Sequence, residues 1–111
     1  MLYEMNLQKA PFDLIKNGQK TIEMRLCKNN RDKIQRGDHI VFHNEKDGEN
    51  LEVLVLNIHK YPSFKELYEN HKKESLGYRS DEIANPDDML IYYSKEDIEK
   101  YGVLAIEIKV Q

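Results

Sequence analysis

The strongest constraint on the fold is a strict alternation of apolar and polar residues near the C-terminal end of the chain. From Val103 to Val110 the even-numbered residues are all aliphatic, whereas Glu107 and Lys109 are charged. Since successive side chains of a strand point to opposite faces, this pattern predicts a strand with one apolar face turned inward. A second segment, Leu51 to Ile58, is apolar on both parities apart from two polar residues. It predicts a central strand buried on both sides.

Shorter segments predict the elements around these two strands. Alternation and helical spacing predict strands over 2–7, 21–26 and 39–43, and helices over 10–17, 64 to about 74, 86–93 and 95–101. Residues 29–36 are expected to form a charged loop or helical turn, and residues 44–50 a hairpin connection. The expected fold is therefore α+β: a small, closed or nearly closed mixed β-barrel of five to six strands, with three to four short helices filling its ends.

The length and composition fit one domain over residues 1–111. The chain has 111 residues, 40% hydrophobic and 33% charged, and shows no repeat or linker. Its one cysteine, Cys27, excludes an intramolecular disulfide and a multi-cysteine zinc site. The longest aliphatic run, Val53 to Leu56, is far too short to span a bilayer. With no secretory pattern at the N-terminus, we expect a cytoplasmic protein without a membrane partner.

Charge is distributed unevenly along the chain. Residues 1–36 carry eight basic and four acidic side chains, whereas residues 37–111 carry nine basic and sixteen acidic ones, and the net charge is −3. A polyanion would be attracted to one face and repelled by the other. Non-selective, high-affinity coating of nucleic acid is not expected, because its affinity depends on neutralising many phosphates.

Several familiar sites lack their sequence basis. The chain contains no G-x-x-x-x-G-K-[ST], no G-x-G-x-x-G and no H-E-x-x-H motif. His39 and His43 would share a strand face but lie about 13 Å apart, too far to bind one metal ion. The pair Asp87-Asp88 is typical of acids that favour a helix N-terminus. No metal site and no cofactor are therefore predicted.

The most informative segment is Gly18-Gln19-Lys20-Thr21-Ile22-Glu23-Met24-Arg25. Glu23 and Arg25 share one strand face, so they can form a charge-assisted pair. Lys20 has the opposite parity and can join them only from the turn before the strand. Such a trio would offer two cations to phosphate or carbonyl oxygens and a carboxylate to accept a proton.

A simpler interpretation of the same segment is structural. Ile22, Met24 and Leu26 would face the core, while Thr21, Glu23 and Arg25 would form the solvent-exposed face of an amphipathic strand. Spacing alone favours this second interpretation.

The pattern Gly18-x-Lys20-x-x-Glu23-x-Arg25 resembles the G-x-K-x-x-E-x-R signature of the ASCH (activating signal cointegrator homology) domain, a branch of the PUA-like superfamily. Residues 15–18, 36–42 and 101–108 are similar to the family in order and spacing. The resemblance implies a PUA-like barrel with a cleft lined by the signature residues. It also implies binding of RNA or a nucleotide and a role in RNA metabolism.

One branch with similar sequence hydrolyses N4-acetylcytidine through a lysine, a threonine and a glutamate. Lys20 matches the lysine, but Glu23 stands where the threonine belongs, and Thr21 differs from Lys20 in strand parity. Glu74 is only an approximate counterpart of the glutamate. Hydrolysis of a modified nucleoside or of RNA, with Glu23 as general base and Lys20 stabilising negative charge, therefore ranks below binding.

The tyrosines and a basic run are the remaining candidates for ligand contact. Aromatic rings can stack bases, and Tyr78-Arg79, in an irregular segment, is the pair assigned to the ligand site. The other candidate stacking residues are Tyr61, Tyr68, Tyr92 and Tyr93. The run Lys28, Arg31, Lys33 and Arg36 is either a phosphate track or a solvated loop.

Three functions therefore stay open. The first is an RNA- or nucleotide-binding module with Gly18, Lys20, Thr21, Glu23, Arg25, Tyr78 and Arg79 at the ligand. The second is a hydrolase with Lys20 and Glu23 as catalytic residues. The third is a protein-interaction domain in which a Glu23–Arg25 pair only stabilises the barrel. The sequence predicts neither the ligand nor the oligomeric state.

Overall fold

A computed structural model describes all 111 residues and contains five strands and three α-helices. The strands are β1 (Leu2–Leu7), β2 (Ile22–Leu26), β3 (His39–Asn44), β4 (Asn50–Tyr61) and β5 (Val103–Val110). The α-helices are α1 (Lys9–Lys16), α2 (Phe64–Asn70) and α3 (Lys95–Tyr101), and two 3₁₀ helices span Arg31–Lys33 and Pro86–Ile91. The predicted α+β class is confirmed.

The five strands form one curled sheet in the order β1-β3-β4-β5-β2. The β1–β3 pair is parallel, and the other three pairs are antiparallel. The sheet is a half-barrel with β1 and β2 at its edges, and these two edges do not pair through their backbones. A side chain bridges them, since Arg25 Nη2 donates to the carbonyl oxygen of Asn6 at 2.8 Å.

Hydrophobic clusters lie on both sides of the sheet. The main cluster joins α1 to the barrel interior and includes Phe12, Ile40, Phe42, Val53 and Ile106. The second cluster joins α2 to the opposite side of β2 and β5 and includes Leu26, Phe64, Leu67, Val103 and Ala105. Burying each such large side chain contributes about 1.5–3 kcal/mol. The β2–β5 half of the sheet is therefore covered on both sides.

This arrangement corrects the expectation for β2. Its apolar residues, such as Met24, face the second cluster, as part of a buried face. The expected solvent-exposed face is wrong, because Glu23 lies opposite Ile106, Arg25 lies opposite Leu104, and Glu23 is only 4% exposed. Alternation in β2 marks two covered faces, one apolar and one charged.

The expectation for β4 is also partly wrong. The strand is central, as predicted, but it runs over Asn50–Tyr61 and is irregular between Val55 and Asn57. Only Val53 and Val55 are buried, and Leu56 is 42% exposed. The second cluster lies against β2 and β5 and leaves the apolar side chain of Leu56 uncovered.

Helix α2 begins at the predicted Phe64 but ends at Asn70 instead of near Glu74. The side-chain amide of Asn70 donates to the Glu66 carbonyl at 2.8 Å, and His71 is extended (φ −137°, ψ 148°). The chain then turns back, which buries Leu76 in the second cluster. This return brings residues 76–78 to β2.

Every helix of the structure is too short or too polar to cross a bilayer.

Candidate functional site

A cleft with a volume of about 600 Å³ opens between the end of β1 and strand β2. Apolar side chains from α1, β2 and the loop after α2 line part of it, including Leu14, Met24 and Leu76. Most of its polar side chains belong to two groups on different elements, one on β2 and the preceding turn and the other within residues 68–93, and Asn6, Gln8 and Glu45 complete the polar lining. The two groups differ in burial and in charge.

The first group is a charged triad formed by Lys20, Glu23 and Arg25. Arg25 Nε donates to Glu23 Oε2 at 2.7 Å, and Lys20 Nζ lies 3.5 Å from Glu23 Oε1. The side chains of Lys20 and Glu23 are 6% and 5% exposed, and that of Arg25 is 12% exposed. Two cations share one carboxylate, so the triad carries an excess positive charge in a place with little water.

Lys20 joins the triad from the turn that precedes β2. Its backbone N–H donates to the Leu14 carbonyl at 3.0 Å, and its ammonium donates to the Leu76 carbonyl at 3.0 Å. Gly77 has a φ of +109°, and a Cβ there would lie 3.3 Å from Lys20 Cδ. Glycine at this position therefore allows the loop to close over the lysine stem.

The environment of Lys20 makes its ammonium easier to deprotonate than that of a lysine in water. Burial lowers the pKa of the Lys20 ammonium below its ordinary value of 10.5, and the charge of Arg25 adds to this, whereas Glu23 opposes it. A buried amine with a lowered pKa beside a carboxylate can take part in acid–base chemistry as well as bind an oxygen atom.

The second group is a tyrosine–aspartate wall formed by Tyr68, Tyr78 and Asp88. The hydroxyls of Tyr68 and Tyr78 lie 2.8 Å apart, and the Tyr78 hydroxyl lies 2.8 Å from Asp88 Oδ2. Burial raises the pKa of the Tyr78 phenol above 10.0, and its hydrogen bonds to Tyr68 and Asp88 raise it further. The phenol of Tyr78 is therefore a protonated donor at neutral pH.

Two more tyrosines extend this wall toward the mouth of the cleft. Tyr93 stacks on Phe64 with ring centroids 6.0 Å apart and planes at 14°. Tyr92 is 54% exposed at the rim. The ring of Tyr93 is therefore held by stacking inside the cleft, whereas the ring of Tyr92 is accessible at its mouth.

The structure brings four of the predicted site residues together: Lys20, Glu23, Arg25 and Tyr78. Gly18 and Thr21 line a separate hollow of about 320 Å³ on the other side of Lys20. Arg79 lies outside the cleft, since its side chain is 72% exposed and pairs with Asp81 and Glu82. Tyr78 and Arg79 are therefore separated in the structure although they are adjacent in the sequence.

Other sequence candidates also lie outside the cleft. Glu74 is exposed, and the Tyr61 hydroxyl lies 2.9 Å from His71 Nε2. In the basic run, Lys28 lies 4.0 Å from Asp97, and Arg31 is half-buried near Arg25, where burial and then the Arg25 charge lower the pKa of Arg31. None of the four basic residues lines the cleft.

Sequence reasoning missed several residues of the cleft. The sequence predicts Asp88 only as an acid that favours the start of a helix, and it does lie in the first turn of the 3₁₀ helix Pro86–Ile91. It also reaches the cleft, as do Asn6 and Met89. No local pattern marks these residues, because they meet only through the fold.

No group of three or more His, Cys, Asp or Glu side chains is arranged to hold a metal ion.

Comparison with known proteins gives one family and several related structures. The family model described as ASCH domain matches residues 5–111. The crystal structure of hypothetical protein PH0355 is similar at 37% identity, with a TM-score of 0.83 over 100% of both chains. The solution NMR structure of protein PF0455 from Pyrococcus furiosus is also similar at 37% identity, with a TM-score of 0.69 over 99% of this chain and 97% of that one.

A more distant likeness shows the fold alone. A crystal structure of a mutant ZmASCH protein from Zymomonas mobilis has a TM-score of 0.62 at 12% identity, over 97% of this chain and 67% of that one. It supports the expected PUA-like architecture of a curled sheet with short helices. No curated protein matches the sequence.

Proposed function

The chain belongs to the ASCH domain family, and from this premise we propose that it binds RNA through a single nucleotide unit held in the cleft above the charged triad. The observation that supports this most directly is that the triad and the tyrosine–aspartate wall line one cleft. Cations and aromatic rings are the groups that hold single-stranded RNA. If it binds RNA in this way, the protein acts in RNA metabolism.

The size of the cleft suits one small ligand. Ligand pockets typically enclose about 300–1,000 Å³ and combine an apolar lining with a few placed polar groups. The cleft, at about 600 Å³, has both features. A single base with its sugar is therefore a better match than a duplex.

The triad keeps donors available for a ligand. Arginine has five N–H donors, and in the structure Nε of Arg25 bonds Glu23 and Nη2 bonds Asn6. The ammonium of Lys20 has three donors, and it contacts the Leu76 carbonyl and Glu23. The remaining N–H groups can donate to a phosphate or a base carbonyl.

The net charge of −3 agrees with recognition at one place. For a protein that holds one or two phosphates, the logarithm of the association constant falls with the logarithm of the salt concentration at a slope of roughly −1 to −2. A protein that coats nucleic acid shows a much steeper slope. We expect the shallow slope.

The test is a titration of a fluorescently labelled single-stranded RNA over a salt series, with wild type, Lys20→Met and Arg25→Gln. Losing a charge-assisted hydrogen bond costs about 1.5–3 kcal/mol, so each substitution should weaken binding by about tenfold or more. Lys65→Met, at an exposed position on α2, is the matched control and should bind as wild type does. Absence of binding at low salt, or equal affinity of all four proteins, contradicts the proposal.

The lowered pKa of Lys20 beside Glu23 favours a second candidate function, hydrolysis of an acylated nucleoside or of RNA. For an acylated nucleoside, water would attack the acyl carbon while Glu23 accepts its proton and Lys20 stabilises the oxyanion. The C–N bond would then break as Glu23 returns the proton to the departing amine, which leaves the carboxylic acid as the second product. Thr21 supplies no nucleophile, because it does not line the cleft. The test compares turnover of acylated nucleosides and RNA oligomers by wild type, Lys20→Ala and Glu23→Ala. Turnover that survives both substitutions excludes these residues as catalytic groups.

A further inference from the structure

The carboxylate of Asp88 is held at the cleft by a hydrogen-bond chain with a fixed direction. The Tyr78 hydroxyl lies 2.8 Å from Asp88 Oδ2 and 3.4 Å from the Asn85 carbonyl. Its one proton goes to the nearer, ionised acceptor. Tyr78 therefore donates to Asp88 and accepts from the Tyr68 hydroxyl at 2.8 Å.

This chain leaves one acceptor for a ligand. Asp88 Oδ2 is occupied by Tyr78, and Oδ1 of this cleft-lining residue makes no hydrogen bond within the protein. An ionised carboxylate can only accept. The triad lines the same cleft and offers N–H donors, so the cleft presents donors at the triad and a carboxylate oxygen at Asp88, and the lining also includes the carboxylate of Glu45.

From this polarity we propose that Asp88 selects nucleobases that carry an exocyclic amino group over bases that carry a carbonyl oxygen at the same position. The inference rests on the proposed function and specifies its ligand. An amino group donates to Asp88 Oδ1, whereas a carbonyl there sets two acceptors against each other, with no hydrogen bond and with repulsion.

The tether to Tyr78 makes a distinctive prediction for Asp88→Asn. Tyr78 needs an acceptor, so it holds the amide oxygen of the new side chain and turns the amide NH₂ toward the ligand. The residue then donates where the carboxylate accepted, and the preference should invert toward carbonyl-bearing bases. With Tyr78→Phe added, the amide is no longer oriented, and the preference should disappear.

The experiment measures binding of two matched nucleotide pairs by calorimetry. Cytidine and uridine 5′-monophosphates differ in an amino or carbonyl group on a pyrimidine, and adenosine and inosine 5′-monophosphates differ likewise on a purine. In each pair the adjacent ring nitrogen also changes, from an acceptor in the amino member to an N–H donor in the carbonyl member, so the inversion in Asp88→Asn is the comparison that assigns the preference to the exocyclic group. A hydrogen bond to a charged group is worth enough for about tenfold discrimination. Wild type should therefore prefer the amino member of at least one pair by about tenfold.

The control is Asp87→Asn, which removes the neighbouring acid of the same first turn, a residue outside the cleft lining. It should keep the wild-type preference. If wild type binds none of the four nucleotides, the result contradicts the proposed function and the inference together. Binding of all four with equal affinity in wild type, or a preference unchanged in Asp88→Asn, overturns the inference and leaves the proposed function standing.

Discussion

The two walls of the cleft are built in different ways. The charged triad lies within residues 20–25 and is almost excluded from water. The tyrosine–aspartate wall draws Tyr68, Tyr78 and Asp88 from an α-helix, a loop and a 3₁₀ helix, and Asp88 is exposed. Under the proposed function, we expect from this difference that the buried triad couples ligand contact to stability, whereas the exposed Asp88 adjusts selectivity at little cost in stability.

The largest expected effect comes from breaking the buried wall. Glu23→Gln leaves Lys20 and Arg25 without their shared carboxylate, and removing one partner of a buried ion pair costs about 3–5 kcal/mol. Urea denaturation at pH 7 should show a loss of this order, and Glu99→Gln, an exposed acid on α3, should change the free energy of unfolding by less than about 0.5 kcal/mol.

An equal loss in both variants contradicts the assignment of the triad as a buried, coupled unit. If Glu23→Gln lowers stability but binds RNA as wild type does, the triad only stabilises the barrel. That result favours the interaction-domain hypothesis.

The next effect concerns Gly77, which connects the two walls between Leu76 and Tyr78. Its φ of +109° and the 3.3 Å approach to Lys20 Cδ make Gly77→Ala strained, at a cost of about 1–3 kcal/mol. The loop should shift and weaken RNA binding as well. Gly48→Ala has similar backbone strain (φ +77°) with open space around it. It should lower the melting temperature without changing the affinity, and equal affinities in the two variants count against Gly77 as a connector.

The contributions of the two walls to the free energy of unfolding should change in opposite directions as the pH becomes alkaline. The folded pKa of Lys20 is below 10.5, so the unfolded chain binds more protons up to that pH. The free energy of unfolding of wild type relative to Lys20→Met should therefore rise with pH toward 10.5.

For Tyr78 the sign reverses. Its folded pKa is raised above 10.0, so above pH 10 the unfolded chain loses the proton first, and the free energy of unfolding relative to Tyr78→Phe should fall. Denaturation curves between pH 7 and the alkaline limit of reversible unfolding measure both differences. If both free-energy differences rise with pH, or both fall, the predicted contrast between Lys20 and Tyr78 is wrong.

The smallest effect on stability is expected at the rim. Tyr92 is 54% exposed, so Tyr92→Ala should change the free energy of unfolding by less than about 0.5 kcal/mol. Because stacking on one base is worth about 1–3 kcal/mol, RNA affinity should still fall by about tenfold. Ile83→Ala, at a side chain 88% exposed and outside the cleft lining, is the control and should leave affinity unchanged.

The same contrast explains how much the sequence could predict. The Glu23–Arg25 pair was predictable because the two residues share one strand face, and the resemblance to the family signature added Lys20 from the preceding turn. Alternation could not tell which face of β2 meets the barrel interior, because that depends on α2 packing against the other side.

The second wall could be predicted only in part. Tyr78 was a candidate as an aromatic residue in a loop, but Arg79 beside it points elsewhere. Asp88 carries no local signal beyond its place in a first turn. The early end of α2 at Asn70, after which the chain turns back toward β2, could not be predicted from the helical periodicity, which continues to His71.

The most direct test of a nucleotide site between the two walls is a titration of ¹⁵N-labelled protein with cytidine 5′-monophosphate, followed by amide chemical shifts. We expect saturable shifts at β2 and the preceding turn together with residues 76–78 and 88–93. Shifts confined to the surface around His59 and Glu107, where another polar pair lies 2.6 Å apart, or no shifts at millimolar ligand, would contradict it.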